Sequence, residues 1–153
     1  MKINYFIIPL ITLIVALSGS FLTKRGMGWY ETLNLPEIAP PGSIIGLVWT
    51  IIFILATISA LIFWNKTPRD PRFNAIVIFF LINAVLNIFW SYLFFNQHQI
   101  LASVIEMIIL DITVIVLILL LWPISKLASY LLMPYAAWVA FATYLAYRIL
   151  LLN

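Results

Sequence analysis

Five long apolar runs constrain the fold of this chain more than any other feature of its sequence. Each is long enough to cross about 30 Å of hydrocarbon as a helix that rises about 1.5 Å per residue. The runs cover roughly residues 3–22, 43–64, 73–95, 101–122 and 127–152. They show no alternation, and their connections are too short for a membrane β-barrel. The sequence therefore predicts an all-α integral membrane protein, one five-helix transmembrane domain over residues 1–153 with a structured loop between helices 1 and 2.

Composition supports a membrane protein and excludes several classes of site. Of the 153 residues, 65% are hydrophobic and only 8% are charged, whereas soluble domains carry about 25% charged residues. Most basic residues lie between apolar runs, so the net charge of +3 indicates no nucleic-acid partner. The absence of cysteine excludes disulfides, and the single histidine, His98, leaves no cluster for a metal. We expect no metal and no required cofactor.

The first run also resembles a cleaved signal peptide, because Lys2 precedes its apolar stretch and small residues lie near its end at Ser18, Gly19 and Ser20. Its apolar part is longer than a typical signal core, and no soluble domain follows it. A retained helix is therefore the favoured interpretation.

The basic residues predict an orientation. The positive-inside rule places the more basic side, with the N-terminus, in the cytoplasm of a bacterial or archaeal cell membrane. That side carries Lys2, Lys66, Arg69, Arg72 and Lys126, and the other side carries Lys24, Arg25 and Arg148.

The first connection, residues 23–42, is neither short nor polar. It contains Trp29, Tyr30 and three prolines at 36, 40 and 41. A merely solvated loop does not need such side chains, so we expect it to fold back over the helix ends.

Aromatic and amide side chains, together with a few aliphatic ones, recur every three or four residues on three runs, which places each set on one helix face. They are Asn83, Asn87, Trp90 and Phe94 on the third run, Trp49, Phe53 and Ala56 on the second, and Tyr135, Trp138, Ala142 and Leu145 on the fifth. These faces predict a pocket in the half of the membrane beneath the first loop, roofed by Trp29 and Tyr30. The alternative is that the aromatic residues only pack and the asparagines only join helices.

Two acids lie inside the fourth run. Glu106 and Asp111 are five residues apart, about 140° around a helix, so they do not form a carboxylate dyad on one face. Glu106 has a similar depth to Arg148 and could pair with it, whereas Asp111 has no obvious partner. Pro134 should kink or loosen the fifth helix.

No classical enzyme motif is present, neither a phosphate-binding glycine loop nor a nucleophile elbow nor a metal-ligand pair. Five helices do not divide into two inverted repeats, which argues against a standard alternating-access transporter.

Three motifs in order resemble the TspO/MBR family of tryptophan-rich sensory proteins. Trp29-Tyr30 with Pro36, Pro40-Pro41 and Val48-Trp49 is similar to the family's first-loop signature. The segment NAVLNIFWSYLFF, residues 83–95, is similar to its third helix. Pro134-Tyr135, Trp138 and Phe141-Ala142 resemble its fifth helix. The resemblance covers the whole chain.

The resemblance implies a five-helix receptor that binds porphyrins, haem and benzodiazepine-type ligands beneath the first loop, with lipid or sterol as a further possible partner and a homodimer as the assembly. It also implies light-dependent porphyrin breakdown, with Trp49 and Trp138 as the photochemical residues, and it places Glu106 at the family's acidic position on helix 4. The implied ligand-lining positions are Tyr30, Pro41, Trp49, Phe53, Asn87, Trp90, Trp138, Ala142 and Leu145. Trp29 and Asn83 join them from the pattern described above.

Two departures from the family pattern bear on the ligand. Leu145-Ala146 stands where the family commonly has Leu-Asn, and Leu35-Pro36 stands where a basic residue often precedes the proline. Three hypotheses follow: a tetrapyrrole receptor, a transporter of porphyrin or sterol-like molecules, and a structural protein without a ligand.

Overall fold

The computed structural model describes residues 3–69 and 71–153; Lys2, one of the basic residues that predict the orientation, lies outside them. In these two ranges five helical segments are long and apolar enough to cross a membrane, and no strand is present. The helices are α1 (Asn4–Tyr30), α2 (Gly42–Lys66), α3 (Pro71–Ser91), α4 (Ile100–Leu121) and α5 (Lys126–Leu152). The predicted all-α bundle of five transmembrane helices is confirmed.

Local sequence explains several helix ends. Pro71 occupies the first position of α3, where its missing N–H has no helical acceptor to lose. The Ser125 hydroxyl caps α5 by accepting a hydrogen bond from the Ala128 amide at 3.4 Å. Pro9 and Pro134 lie inside α1 and α5, and both helices continue through them.

The first helix is longer than the sequence predicted. We expected a loop from residue 23, but α1 continues to Tyr30 and leaves a connection of only residues 31–41. No proline lies between residue 23 and Pro36, and Gly26 is buried against the neighbouring segment. At about 1.5 Å per residue, α1 is about 40 Å long, so it exceeds the hydrocarbon thickness of about 30 Å.

The third helix changes its winding near its end. After Ser91 the chain forms a π-helix over Tyr92–Asn96, and the Gln97 amide donates to the Tyr92 carbonyl at 3.0 Å. Such a turn contains one extra residue, which rotates the side chains that follow it.

The helices pack as a ring in the order α1, α2, α5, α4, α3. The fourth helix is the most deeply buried, with Met107, Val114 and Leu121 fully inside the bundle. By contrast, α1 buries only Asn4, Val15 and Gly26 among its described residues. One side of the ring is therefore a close-packed core, whereas α1 closes the other side loosely.

Candidate functional site

A cavity of about 670 Å³ lies inside the ring at the end that carries the first connection. Its wall is built from α1, α2, the α3–π-helix segment and α5, and α4 contributes none of the described lining residues. Pockets for drug-sized ligands and cofactors measure about 300–1,000 Å³. The cavity is therefore large enough for a ligand of that size.

Eight of the predicted positions lie on the cavity wall. The helix faces inferred from sequence spacing converge there, since each of these residues points into the ring. They are Tyr30, Trp49, Phe53, Asn87, Trp90, Trp138, Ala142 and Leu145. Ala146, where the family commonly has asparagine, also lines the cavity, so the polar group that this chain lacks would have been on the wall.

Near-parallel aromatic rings form one side of the cavity. The ring centroids of Trp49 and Trp90 are 6.4 Å apart with planes inclined by 29°, and those of Trp90 and Phe94 are 5.8 Å apart at 20°. The indole nitrogens of Trp90 and Trp138 are buried and have no hydrogen-bond partner among the described residues. The wall thus offers flat apolar faces, while both of these nitrogens lie below its accessible surface.

Trp29 does not line the cavity, contrary to the predicted roof. Its ring stacks on His98 with centroids 4.2 Å apart at 12° and meets Phe94 edge-on at 5.5 Å. Because α1 is helical through Tyr30, Trp29 and Tyr30 leave the helix in different directions. Tyr30 faces the cavity, whereas Trp29 packs against the lining residue Phe94 from outside the cavity.

Pro41, Asn83 and Glu106 are the other predicted site residues that the structure places outside this cavity. Pro41 precedes the lining residue Gly42, and its own side chain is exposed. Asn83 lies deeper in the bundle, beside a smaller cavity. Glu106 is buried on α4, which is packed against α3 and α5.

The possible ion pair between Glu106 and Arg148 is not formed. Both carboxyl oxygens of Glu106 are buried without a hydrogen-bond partner among the described residues, and one oxygen of Asp111 is too. Arg148 instead donates to the Tyr144 hydroxyl at 3.1 Å, near the bundle surface. Helix α5 turns Arg148 and the buried Ile149 to different sides, so similar depth did not bring the two charges together.

A chain of hydrogen bonds joins α3, α4 and α5 below the cavity. Asn87 Nδ2 donates to the Tyr135 hydroxyl at 2.8 Å, and that hydroxyl donates to Asn83 Oδ1 at 3.0 Å. Asn83 Nδ2 donates to Thr113 Oγ1 at 2.9 Å, which donates to the Leu110 carbonyl at 2.6 Å. Both asparagines therefore join helices, and Asn87 also faces the cavity.

A smaller cavity of about 130 Å³ lies on the other side of Phe53 and Asn87, which line both spaces. It follows α1, α2 and α3 towards the opposite end of the bundle, as far as Phe63 and Trp64. The two cavities are therefore neighbours, both bordered by α1, α2 and α3, and their common wall contains Phe53 and Asn87.

The sequence interpretation missed the contribution of α1 to the large cavity. Its small and polar side chains recur every three or four residues, a signal that the predicted end of the helix at residue 22 cut short. The additional lining residues on α1 are Ala16, Gly19, Ser20, Thr23, Lys24 and Met27. Lys24 is the one charged residue among the described lining residues.

Comparison with known proteins agrees with the family resemblance of the three motifs. Residues 7–152 match the TspO/MBR family. The chain is 32% identical to the tryptophan-rich protein TspO of Bacillus cereus over 153 residues, which is 100% of this chain and 99% of the relative. It is 38% identical to the TspO of Archaeoglobus fulgidus over 94% of this chain and 93% of the relative. It is 26% identical to the human translocator protein over 83% of this chain and 76% of that protein.

Proposed function

Since the chain belongs to the TspO/MBR family, we propose that it is a membrane receptor for tetrapyrroles such as protoporphyrin IX and haem, and for benzodiazepine-type ligands. Its role would lie in porphyrin homeostasis or the stress response. The observation that carries the proposal is the cavity of about 670 Å³ with three tryptophans on its wall.

The chemistry of the wall supports a flat apolar ligand. Trp49, Trp90 and Trp138 offer ring faces to a macrocycle, and each aromatic contact contributes about 0.5–1.5 kcal/mol beyond the burial of area. Asn87, held on one side by Tyr135, would orient the ligand.

Titration of the purified, detergent-solubilised protein with protoporphyrin IX in the dark tests this proposal. We expect saturable quenching of tryptophan fluorescence at about micromolar concentration, weakened by Trp138→Ala and by Asn87→Ala. Trp122→Ala is the matched control, because Trp122 packs on Tyr130 away from the cavity and should not alter binding. Linear quenching that no variant changes would contradict the receptor and leave a structural protein whose aromatic residues only pack.

Light-dependent porphyrin degradation forms the second part of the proposal. An indole against the excited macrocycle can donate an electron to it, with dioxygen as the final oxidant. Trp49 and Trp138 are the two candidates, since both line the cavity. Trp138→Phe should then keep dark binding but slow bleaching of the bound porphyrin under light; equal bleaching rates would remove Trp138 from this role.

Transport of porphyrin or sterol-like molecules is the competing function, and the pair of cavities favours it. They are neighbours that share Phe53 and Asn87, and the smaller one, at about 130 Å³, would have to widen before a ligand that passes these residues could continue towards the opposite end of the bundle. Transport predicts accumulation of the molecule inside sealed proteoliposomes, which a receptor that only binds does not produce.

The proposal also includes orientation and assembly. Lys66, Arg69 and Lys126 lie at the end opposite the cavity, which the positive-inside rule assigns to the cytoplasm of a bacterial or archaeal membrane, together with the N-terminus. The homodimer that the family resemblance implies belongs here as well, and the mass of the detergent-solubilised protein tests it.

A further inference from the structure

We propose that Lys24 is an anion-binding residue of the large cavity, and that the ligand carries a carboxylate at the end that faces it. The inference rests on the proposed receptor function, whose porphyrin ligands carry propionates, and adds the residue that binds the carboxylate. Lys24 raises the affinity for ligands that carry a carboxylate, whereas the aromatic part of a ligand binds without it.

The distribution of charge carries this inference. Lys24 is the one charged side chain among the described residues of the cavity wall, and no carboxylate accompanies it there. The other two cations at this end of the bundle are engaged elsewhere. Arg25 lies 5.6 Å from the Phe21 ring centroid, and Arg148 lies 6.0 Å from that of Tyr144.

The position of Lys24 determines which end of a ligand it meets. It lies six residues before the end of α1, about 9 Å along the helix. It is exposed, as are the lining residues Ser20 on α1 and Gly46 and Thr50 on α2. These residues form the mouth of the cavity between the two helices, whereas Trp138 and Asn87 lie further inside.

A carboxylate that lies against the apolar wall of the cavity gains from such a partner. Moving an ionised carboxylate into an apolar environment without a hydrogen-bonded counter-charge is strongly unfavourable. A lysine ammonium at the mouth removes that barrier for an amphiphilic ligand whose apolar body stacks on the inner tryptophans. An ester or another neutral ligand gains nothing from Lys24.

A paired-probe titration tests the inference. Protoporphyrin IX carries two propionates, and its dimethyl ester has the same macrocycle without negative charge. Lys24→Met keeps most of the apolar stem and removes the ammonium. We expect it to weaken binding of the diacid about three- to tenfold and to leave binding of the ester unchanged.

Two controls make the result specific. Lys24→Arg should retain affinity for the diacid, and Arg25→Met should affect neither probe because Arg25 does not line the cavity. Salt raised from about 0.1 to about 0.5 M should weaken binding of the diacid to the parent protein and not to Lys24→Met.

The outcomes separate this inference from the receptor proposal. Unchanged affinity of Lys24→Met for the diacid would overturn the inference and leave Lys24 as a residue that meets lipid headgroups. An equal loss for diacid and ester would overturn it too, as a packing effect. If neither probe saturates the parent protein, the receptor proposal itself has failed.

Discussion

Tyr135 is the central residue of the buried polar chain, because its hydroxyl both accepts from Asn87 and donates to Asn83. It is only 4% exposed, so water cannot replace these bonds. Amides on one helix face in hydrocarbon must find partners on other helices. Here the partners come from α4 and α5, so one network fixes three helices and also one side of the ligand-facing Asn87.

Replacing Tyr135 by phenylalanine should destabilise the protein while preserving ring packing. Asn87 Nδ2 and Asn83 Oδ1 would each lose a buried partner, at a total cost of about 1–3 kcal/mol. We expect the Tm of the detergent-solubilised protein to fall by about 2–10 °C. Tyr144→Phe is the control, since it removes a single bond near the surface and should change Tm very little. Equal shifts in both variants would contradict the role given to the network.

Residue spacing could predict the aromatic and amide part of the site but not its charge. Trp49, Asn87 and Trp138 each lie on the inner face of a helix whose limits are evident from hydropathy. Lys24 lies beyond the predicted end of α1, so it was assigned to a loop and grouped with Arg25 and Arg148. Separating these three cations needs the rotation of each side chain around its helix, which hydropathy does not supply.

At the scale of elements, the contact between α1 and the π-helix shapes the outer end of the cavity. A Cβ placed on Gly26 would overlap the Phe95 carbonyl oxygen and approach Phe95 Cβ to 2.6 Å. Asn96 Nδ2 also donates to the Leu22 carbonyl at 2.9 Å. The two backbones are therefore in direct contact here, which lets Met27 and Tyr30 reach the same cavity as Phe95.

Gly26→Ala and Gly28→Ala should have opposite effects on stability. The methyl group at position 26 must push α1 away from the π-helix, a cost of about 1–3 kcal/mol, and we expect a lower Tm with weaker ligand binding. At position 28 a Cβ would meet no atom within 4 Å beyond its own stretch of helix, so alanine should stabilise the helix by about 0.5–1 kcal/mol. Thermal unfolding of both variants measures the difference, and a Gly26→Ala protein as stable as the parent would show that the contact is not tight.

Hydropathy predicted all five helices because lipid requires long apolar segments with internally paired backbones. It did not predict the last two turns of α1, where Lys24, Arg25 and two glycines interrupt the apolar pattern. Nor did it predict the π-helix at Tyr92–Asn96, because one extra residue per turn leaves no hydropathy signal. Both features depend on the packing of α1 against the π-helix, which is tertiary information.

At the scale of the whole molecule, the first connection, residues 31–41, links α1 to α2 and is also bonded to the end of α5. Its flanking residues Tyr30 and Gly42 line the cavity, and Leu33 packs on the cluster that contains Phe94. The side chain of Asn153 holds it to the end of α5. Asn153 Oδ1 accepts from the Asn34 amide at 2.9 Å, and Asn153 Nδ2 donates to the Asn34 carbonyl at 3.1 Å. None of residues 31–41 lines the cavity, but the connection is thereby held between the lining residues Tyr30 and Gly42, at the outer end of the bundle.

Removing this attachment should change how fast a ligand leaves more than how stable the bundle is. Asn153→Ala deletes both bonds to the Asn34 backbone, so we expect release of bound protoporphyrin IX to empty liposomes to accelerate about three- to tenfold. Because the bonds are exposed, Tm should change little. Asn34→Ala is the matched control: it keeps both backbone bonds and loses only a 3.4 Å contact to the Leu152 carbonyl. Release that is equally fast from the parent, Asn34→Ala and Asn153→Ala proteins would mean that the ligand leaves without opening this connection, and the mouth between α1 and α2 beside Lys24 would then be its route.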